Sequence, residues 1–198
     1  MSMKYSTSHN IICLEAEWEY TEHTDNKFSL NTQPMLNWLK ESYECDIIYR
    51  RIRTKADLKH YLDYFNNNPE EFYKYDLIYI ACHGEKKALW IEGKDISLSS
   101  LANMARGFFA DKVIHFSSCQ TLSNKLTAKE FKKNTGAKLV SGYKIPVNPQ
   151  TSSICDIAYL NDILSSDDEI DITKYCDEDS DFWTRYSSLL TELRFTAI

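Results

Sequence analysis

Apolar residues along the chain fall into short unbroken runs that alternate with stretches of helical spacing. Residues 10–16 (NIICLEA) form the first run and read as a buried strand. Pro34 then stands where the first turn of a helix tolerates it, and Met35, Trp38 and Leu39 follow at helical spacing. Residues 45–49 (CDIIY) predict a second strand. Thr54 and Asp57 open a helix whose Leu58, Tyr61, Leu62 and Phe65 make one apolar stripe. Residues 75–82 (YDLIYIAC) are the strongest strand, apolar without alternation, as in a strand covered on both faces.

The second half repeats the alternation. Residues 88–92 and 95–98 predict a hairpin around Gly93-Lys94. Ser99 is placed to cap a helix carrying Leu101, Met104, Ala105 and Phe108. Residues 112–117 (KVIHFS) predict a strand, Thr127 and Glu130 a capping box, and Gly136 a helix end. Residues 137–143 predict a strand, 152–164 and 181–193 helices, and 194–198 a closing strand. Such β-α-β-α order predicts one α/β domain over residues 1–198, a doubly wound, mostly parallel sheet with helices on both faces. Functional residues then belong at the carboxyl ends of the strands.

Composition narrows the classes. A net charge of −6 and a pI near 5.4 argue against nucleic-acid and anionic-membrane partners. No apolar run approaches the ~20 residues of a membrane span, and residues 1–10 lack an apolar signal core. The six cysteines include no C-x-x-C pair, and several sit inside apolar runs as reduced core thiols would. A cytosolic setting follows. Five glycines leave neither a dinucleotide fingerprint nor a P-loop, so no cofactor is expected. Residues 167–181 hold eight carboxylates against one lysine and read as a solvated loop.

Two strands end in reactive side chains. One ends in Cys82-His83-Gly84, the other in Ser117-Ser118-Cys119-Gln120-Thr121. Each interrupts an apolar run where it leaves the sheet. A helical crossover joins them, so they can be neighbours ~4.8 Å apart, with imidazole and thiol in mutual reach. An imidazole raises the thiolate fraction of a nearby thiol. The amides of Gly84 and Cys119 can face a developing oxyanion. The plainer alternatives are a core thiol and a satisfied polar histidine.

The order strand-His-Gly, hairpin, helix, strand-Ser-Cys-x-Thr resembles the caspase-like cysteine peptidases, and within them the CHAT group. The matching residues are His83-Gly84, the segment 88–109, Ser118-Cys119-Gln120-Thr121, and Gly136-Ala137 through Ile145-Pro146-Val147-Asn148. The resemblance covers about residues 75–165 and implies a peptidase. His83 would be the base, Cys119 the nucleophile, and the Gly84 and Cys119 amides the oxyanion hole. Ser118 stands where the family has alanine, and Tyr143-Lys144 where many relatives have tryptophan. The implied strand order sets the first strand beside the His-bearing one. Glu15 could then orient His83 or receive a basic substrate side chain; the alternative for it and Glu17 is a surface carboxylate. Lys144 and Asn148 would border the pocket. His115, on the strand before Cys119, reads as a packing residue. No tetratricopeptide repeat is present, so a regulatory protein partner would be another chain.

Rival readings fit less well. An amidotransferase elbow flanks its cysteine with glycines. His83-Gly84-Glu85 matches half of a zinc deaminase signature, but the P-C-x-x-C half is absent, and no metal is expected. The sequence therefore predicts a cytosolic, bacterial cysteine endopeptidase acting on a protein or peptide. A catalytically silent caspase-like interaction module is the alternative.

Overall fold

The computed structural model describes residues 5–16, 31–166 and 169–198; Glu17 lies outside them. β1 (Ile11–Ala16) is buried throughout. α1 (Gln33–Ser42) carries Pro34 in its first turn, where no N–H is needed, and buries Leu36 and Leu39. β2 (Ile47–Ile52) runs past the predicted end at residue 49, because an edge strand can carry Arg50 toward solvent. α2 (Lys55–Asn67) has the Thr54–Asp57 capping box that the spacing predicts. α3 (Pro69–Phe72) is a single turn before β3 (Leu77–Ala81), all five residues of which are buried.

β4 (His83–Glu85), β5 (Ala88–Ile91) and β6 (Lys94–Ser97) form a separate antiparallel sheet. The β5–β6 turn is Glu92-Gly93 rather than Gly93-Lys94, since Ile91 pairs with Lys94. Both turn residues have positive φ, 55° and 68°, which matches the strand twist. Ser97, not Ser99, caps α4 (Leu98–Ala105) by accepting the Ser100 N–H. β7 (Val113–Ser117) precedes α5 (Lys125–Thr135), capped by Asn124 rather than by Thr127. Gly136, at φ 70°, ends it. β8 (Leu139–Tyr143) leads to α6 (Pro149–Leu164), which starts three residues before the predicted 152 because Asn148 caps it.

The acidic stretch is more than a solvated loop. Among its described residues it contains α7 (Thr173–Cys176), and Ile170 and Tyr175 are buried. The Tyr175 hydroxyl donates to Asp162, so apolar anchors between the carboxylates tie the segment down. α8 (Asp181–Glu192) and β9 (Phe195–Ala197) close the chain.

The main sheet has the order β2-β1-β3-β7-β8-β9, parallel except for the β8–β9 pair. Alternate strand residues enter opposite cores. Ile12, Leu14, Ile78, Ile80, Ile114 and Phe116 pack with Leu58, Leu62, Leu101 and Phe131 of α2, α4 and α5. Ile11, Cys13, Leu77, Tyr79 and Val113 pack with Leu36, Leu39, Tyr159 and Phe182 of α1, α6 and α8. This is the doubly wound α/β arrangement. Among the described residues no helix is long and apolar enough to cross a membrane.

Candidate functional site

β3 and β7 are adjacent and in register, with Ala81 opposite Ser117. Their carboxyl ends therefore launch residues 82–84 and 118–119 side by side, and the Cys82 N–H still reaches the Ser117 carbonyl at 3.3 Å. His83 then opens the small sheet opposite Trp90, whose ring meets the imidazole edge-on at 5.7 Å. Cys119 starts a tight turn. Gln120 sits in the left-handed region at φ 55° and donates its N–H to the Ile145 carbonyl, tying this turn to the loop after β8.

Gly84 lies against that turn. A methyl group there would collide with the Cys119 carbonyl oxygen, 2.5 Å from Thr121 Oγ1 and 3.0 Å from the Cys119 nitrogen. Only glycine lets the two backbones approach so closely.

His83 and Cys119, both half-buried, line one cleft of about 380 Å³. Ser117 and Ser118 line it from the end of β7, Thr32 and Asn31 from the start of α1, and Val147, Pro149, Gln150, Ser152 and Ser153 from the start of α6. The Cys119 sulfur accepts the Val147 N–H at 3.3 Å. Burial pushes the thiols of Cys13, Cys45, Cys82 and Cys176 up, and that of Cys155 up to about 12. Iodoacetamide at neutral pH is therefore expected to label Cys119 first, with the exposed Cys176 next; peptide mapping after partial labelling reads this order. Uniform slow labelling of all six would contradict it.

The other sequence-derived candidates fall in several places. Glu15 is fully buried, not at the surface. Its carboxylate accepts from the Thr32 backbone N–H (2.9 Å), the Thr32 hydroxyl (3.1 Å) and the Tyr49 hydroxyl (2.5 Å). It thus fixes a cleft wall from behind. Ser118 is buried on the cleft wall and paired with Thr121 at 2.7 Å. Asn148 is the α6 cap, accepting from Gln150 and Thr151. Lys144 lines a different cavity of about 140 Å³, with Leu122, Tyr175 and Trp183.

His115 is buried in a polar network that the sequence reading did not anticipate. Its Nε2 lies 2.8 Å from Asp156, its Nδ1 2.9 Å from Ser141. Asp156, fully buried on α6, also accepts from Ser117 (2.6 Å), Tyr79 (2.7 Å) and Tyr143 (2.5 Å). Burial works to raise its carboxyl, but the His115 imidazole and the Ser117 and Tyr143 hydroxyls outweigh it and hold it below the usual range. The available signal was a charge on an apolar stripe: Ser152, Asp156, Tyr159 and Ile163 recur at helical spacing. Among the described residues no cluster of three or more His, Cys, Asp or Glu could hold a metal ion.

No curated protein matches the chain. The profile of a family of unknown function, DUF6642, matches residues 8–196, nearly the whole sequence, and the chain belongs to that family.

Proposed function

We propose that the chain is a cysteine endopeptidase of the caspase-like type, working through a His83–Cys119 dyad. One observation carries the reading: imidazole and thiol line the same cleft, and the His83-Gly84 turn is pressed against the Cys119 backbone. The strand order, with β1 beside β3 and β3 beside β7, supports it further.

In this mechanism the Cys119 thiol passes its proton to His83, and the sulfur attacks the scissile carbonyl carbon. Electrons move onto the carbonyl oxygen, which the Gly84 and Cys119 amides receive. The C–N bond breaks as the imidazolium protonates the leaving amine. Water then gives a proton to His83 and adds to the thioester. The C–S bond breaks, and the thiol is restored as the acid leaves. The Val147 N–H, 3.3 Å from the sulfur, holds it at the edge of the cleft.

The test is incubation with a proteome-derived peptide library, with cleavage sites read by mass spectrometry. Wild type is expected to generate new termini that Cys119→Ala does not. His83→Ala is expected to lower the rate by about 10²–10⁴, the usual worth of a positioned general base. Equal cleavage by wild type and Cys119→Ala would contradict the proposal. So would no cleavage with no preferential alkylation of Cys119, which would leave the interaction module.

A further inference from the structure

The cleft beside Cys119 has hydroxyl-rich walls, and the acceptors that those hydroxyls already face decide what it can bind. Thr32 Oγ1 donates to the Glu15 carboxylate at 3.1 Å, and Ser117 Oγ to the Asp156 carboxylate at 2.6 Å. Ser152 and Ser153 both donate to the Pro149 carbonyl, at 3.2 and 2.7 Å. A carboxylate or carbonyl cannot donate back, so each of these four protons points into the protein. Ser118 follows the same logic. Its partner Thr121 Oγ1 is within reach of the Ala88 and Cys119 carbonyls, and when Thr121 donates to either of these it accepts from Ser118. What these hydroxyls offer a ligand is lone pairs.

The backbone does not offset this. The start of α6 would ordinarily attract an anion. Here Asn148 Oδ1 takes the Gln150 and Thr151 N–H groups and the Asn148 carbonyl takes that of Ser152. Pro149 has no N–H, and that of Val147 is on the Cys119 sulfur. At the start of α1, Glu15 takes the Thr32 N–H and Asn31 takes that of Gln33. The carboxamides of Asn31 and Gln150 also line the cleft and accommodate either polarity. Apart from His83 and Cys119 at the reacting end, no lining residue among the described ones is titratable.

We infer that this cleft selects a cationic, N–H-donating side chain, lysine or arginine, and rejects aspartate and glutamate. The inference rests on the peptidase reading for its role, as the subsite for the residue preceding the scissile bond. A carboxylate entering it would meet hydroxyl lone pairs backed by two buried carboxylates, with the Asn31 and Gln150 carboxamides and the His83 imidazole as the side-chain donors. A guanidinium or ammonium would find acceptors on both walls. Glu15 and Asp156 act here as positioning residues, since each sets the direction of a hydroxyl without touching the ligand.

Two measurements on the intact chain test this. The first uses peptidyl acyloxymethyl ketones that differ only in the residue next to the warhead. The Cys119 sulfur displaces the carboxylate leaving group, forming a C–S bond as the C–O bond breaks. Arginine and lysine probes are expected to label Cys119 at least about tenfold faster than aspartate probes, the worth of one hydrogen bond to a charged group. Ser153→Arg, which sets a cation in the cleft from a partly exposed position, is expected to reverse that ratio. The second measurement needs no catalysis: agmatine is expected to slow iodoacetamide alkylation of Cys119, and glutarate is not. Equal or faster labelling by the aspartate probe would overturn the inference while leaving the dyad intact. Protection by agmatine without labelling by any probe would overturn the peptidase reading and uphold the cationic preference. Protection by glutarate, or by neither compound, would overturn the preference.

Discussion

Asp156→Ala is expected to destabilise the protein by about 3–5 kcal/mol, the usual result of breaking a buried, charge-centred hydrogen-bond network at one member. The carboxylate has no exposure and holds four partners from three strands: His115, Ser117, Tyr79 and Tyr143. Without it, the Tyr79 and Ser117 hydroxyls and the His115 imidazole are left buried and short of a partner, while the Tyr143 hydroxyl keeps the Ser152 carbonyl at 3.1 Å. For a chain of this size, roughly 2–4 °C of melting temperature accompanies each kcal/mol, so thermal unfolding reads the effect directly. The pH dependence has a definite sign. The folded carboxyl is held below its unfolded value, so its stabilising contribution is full above about pH 4 and fades as pH falls through the folded value. Asp156→Asn, which has nothing to titrate, is expected to lack that part of the acid dependence. A melting temperature unchanged in Asp156→Ala would mean that the network is not formed as described.

Gly84→Ala is expected to disable the site with a moderate stability cost of about 1–3 kcal/mol, typical of overpacking. The added methyl meets the Cys119 carbonyl, and a backbone atom cannot swing aside as the end of a side chain can. The turn carrying His83 must then back away from the turn carrying Cys119. A misplacement of about 1 Å can lower a reaction rate about 10²-fold. Peptide cleavage and selective Cys119 alkylation should therefore fall together while the circular dichroism spectrum persists. Wild-type rates in Gly84→Ala would show that the close approach has no chemical role.

Much of this was legible because strand runs and reactive interruptions are local signals. His83 and Cys119 broke apolar runs at the point where those runs leave the sheet, and β3 and β7 are neighbours as the single crossover implied. Residues whose role depends on tertiary packing were not legible in that way. Asn148 before Pro149 is a local helix-start signal that marks a cap rather than a pocket residue, whereas Lys144 faces another cavity because the chain turns between Tyr143 and Val147. Glu15 suited a strand end facing water equally well, until α1 covered it with Thr32. Asp156 was passed over because a helix with an apolar stripe suggests packing alone, whereas its face meets the hydroxyls of three strands.

Activation of Cys119 by His83 is read from the pH dependence of Cys119 alkylation by iodoacetamide in wild type and in His83→Ala. The wild-type rate is expected to stay high below the pH range of an ordinary thiol, near 8.5, and the His83→Ala profile to fall away there. Superimposable profiles for the two proteins would contradict it.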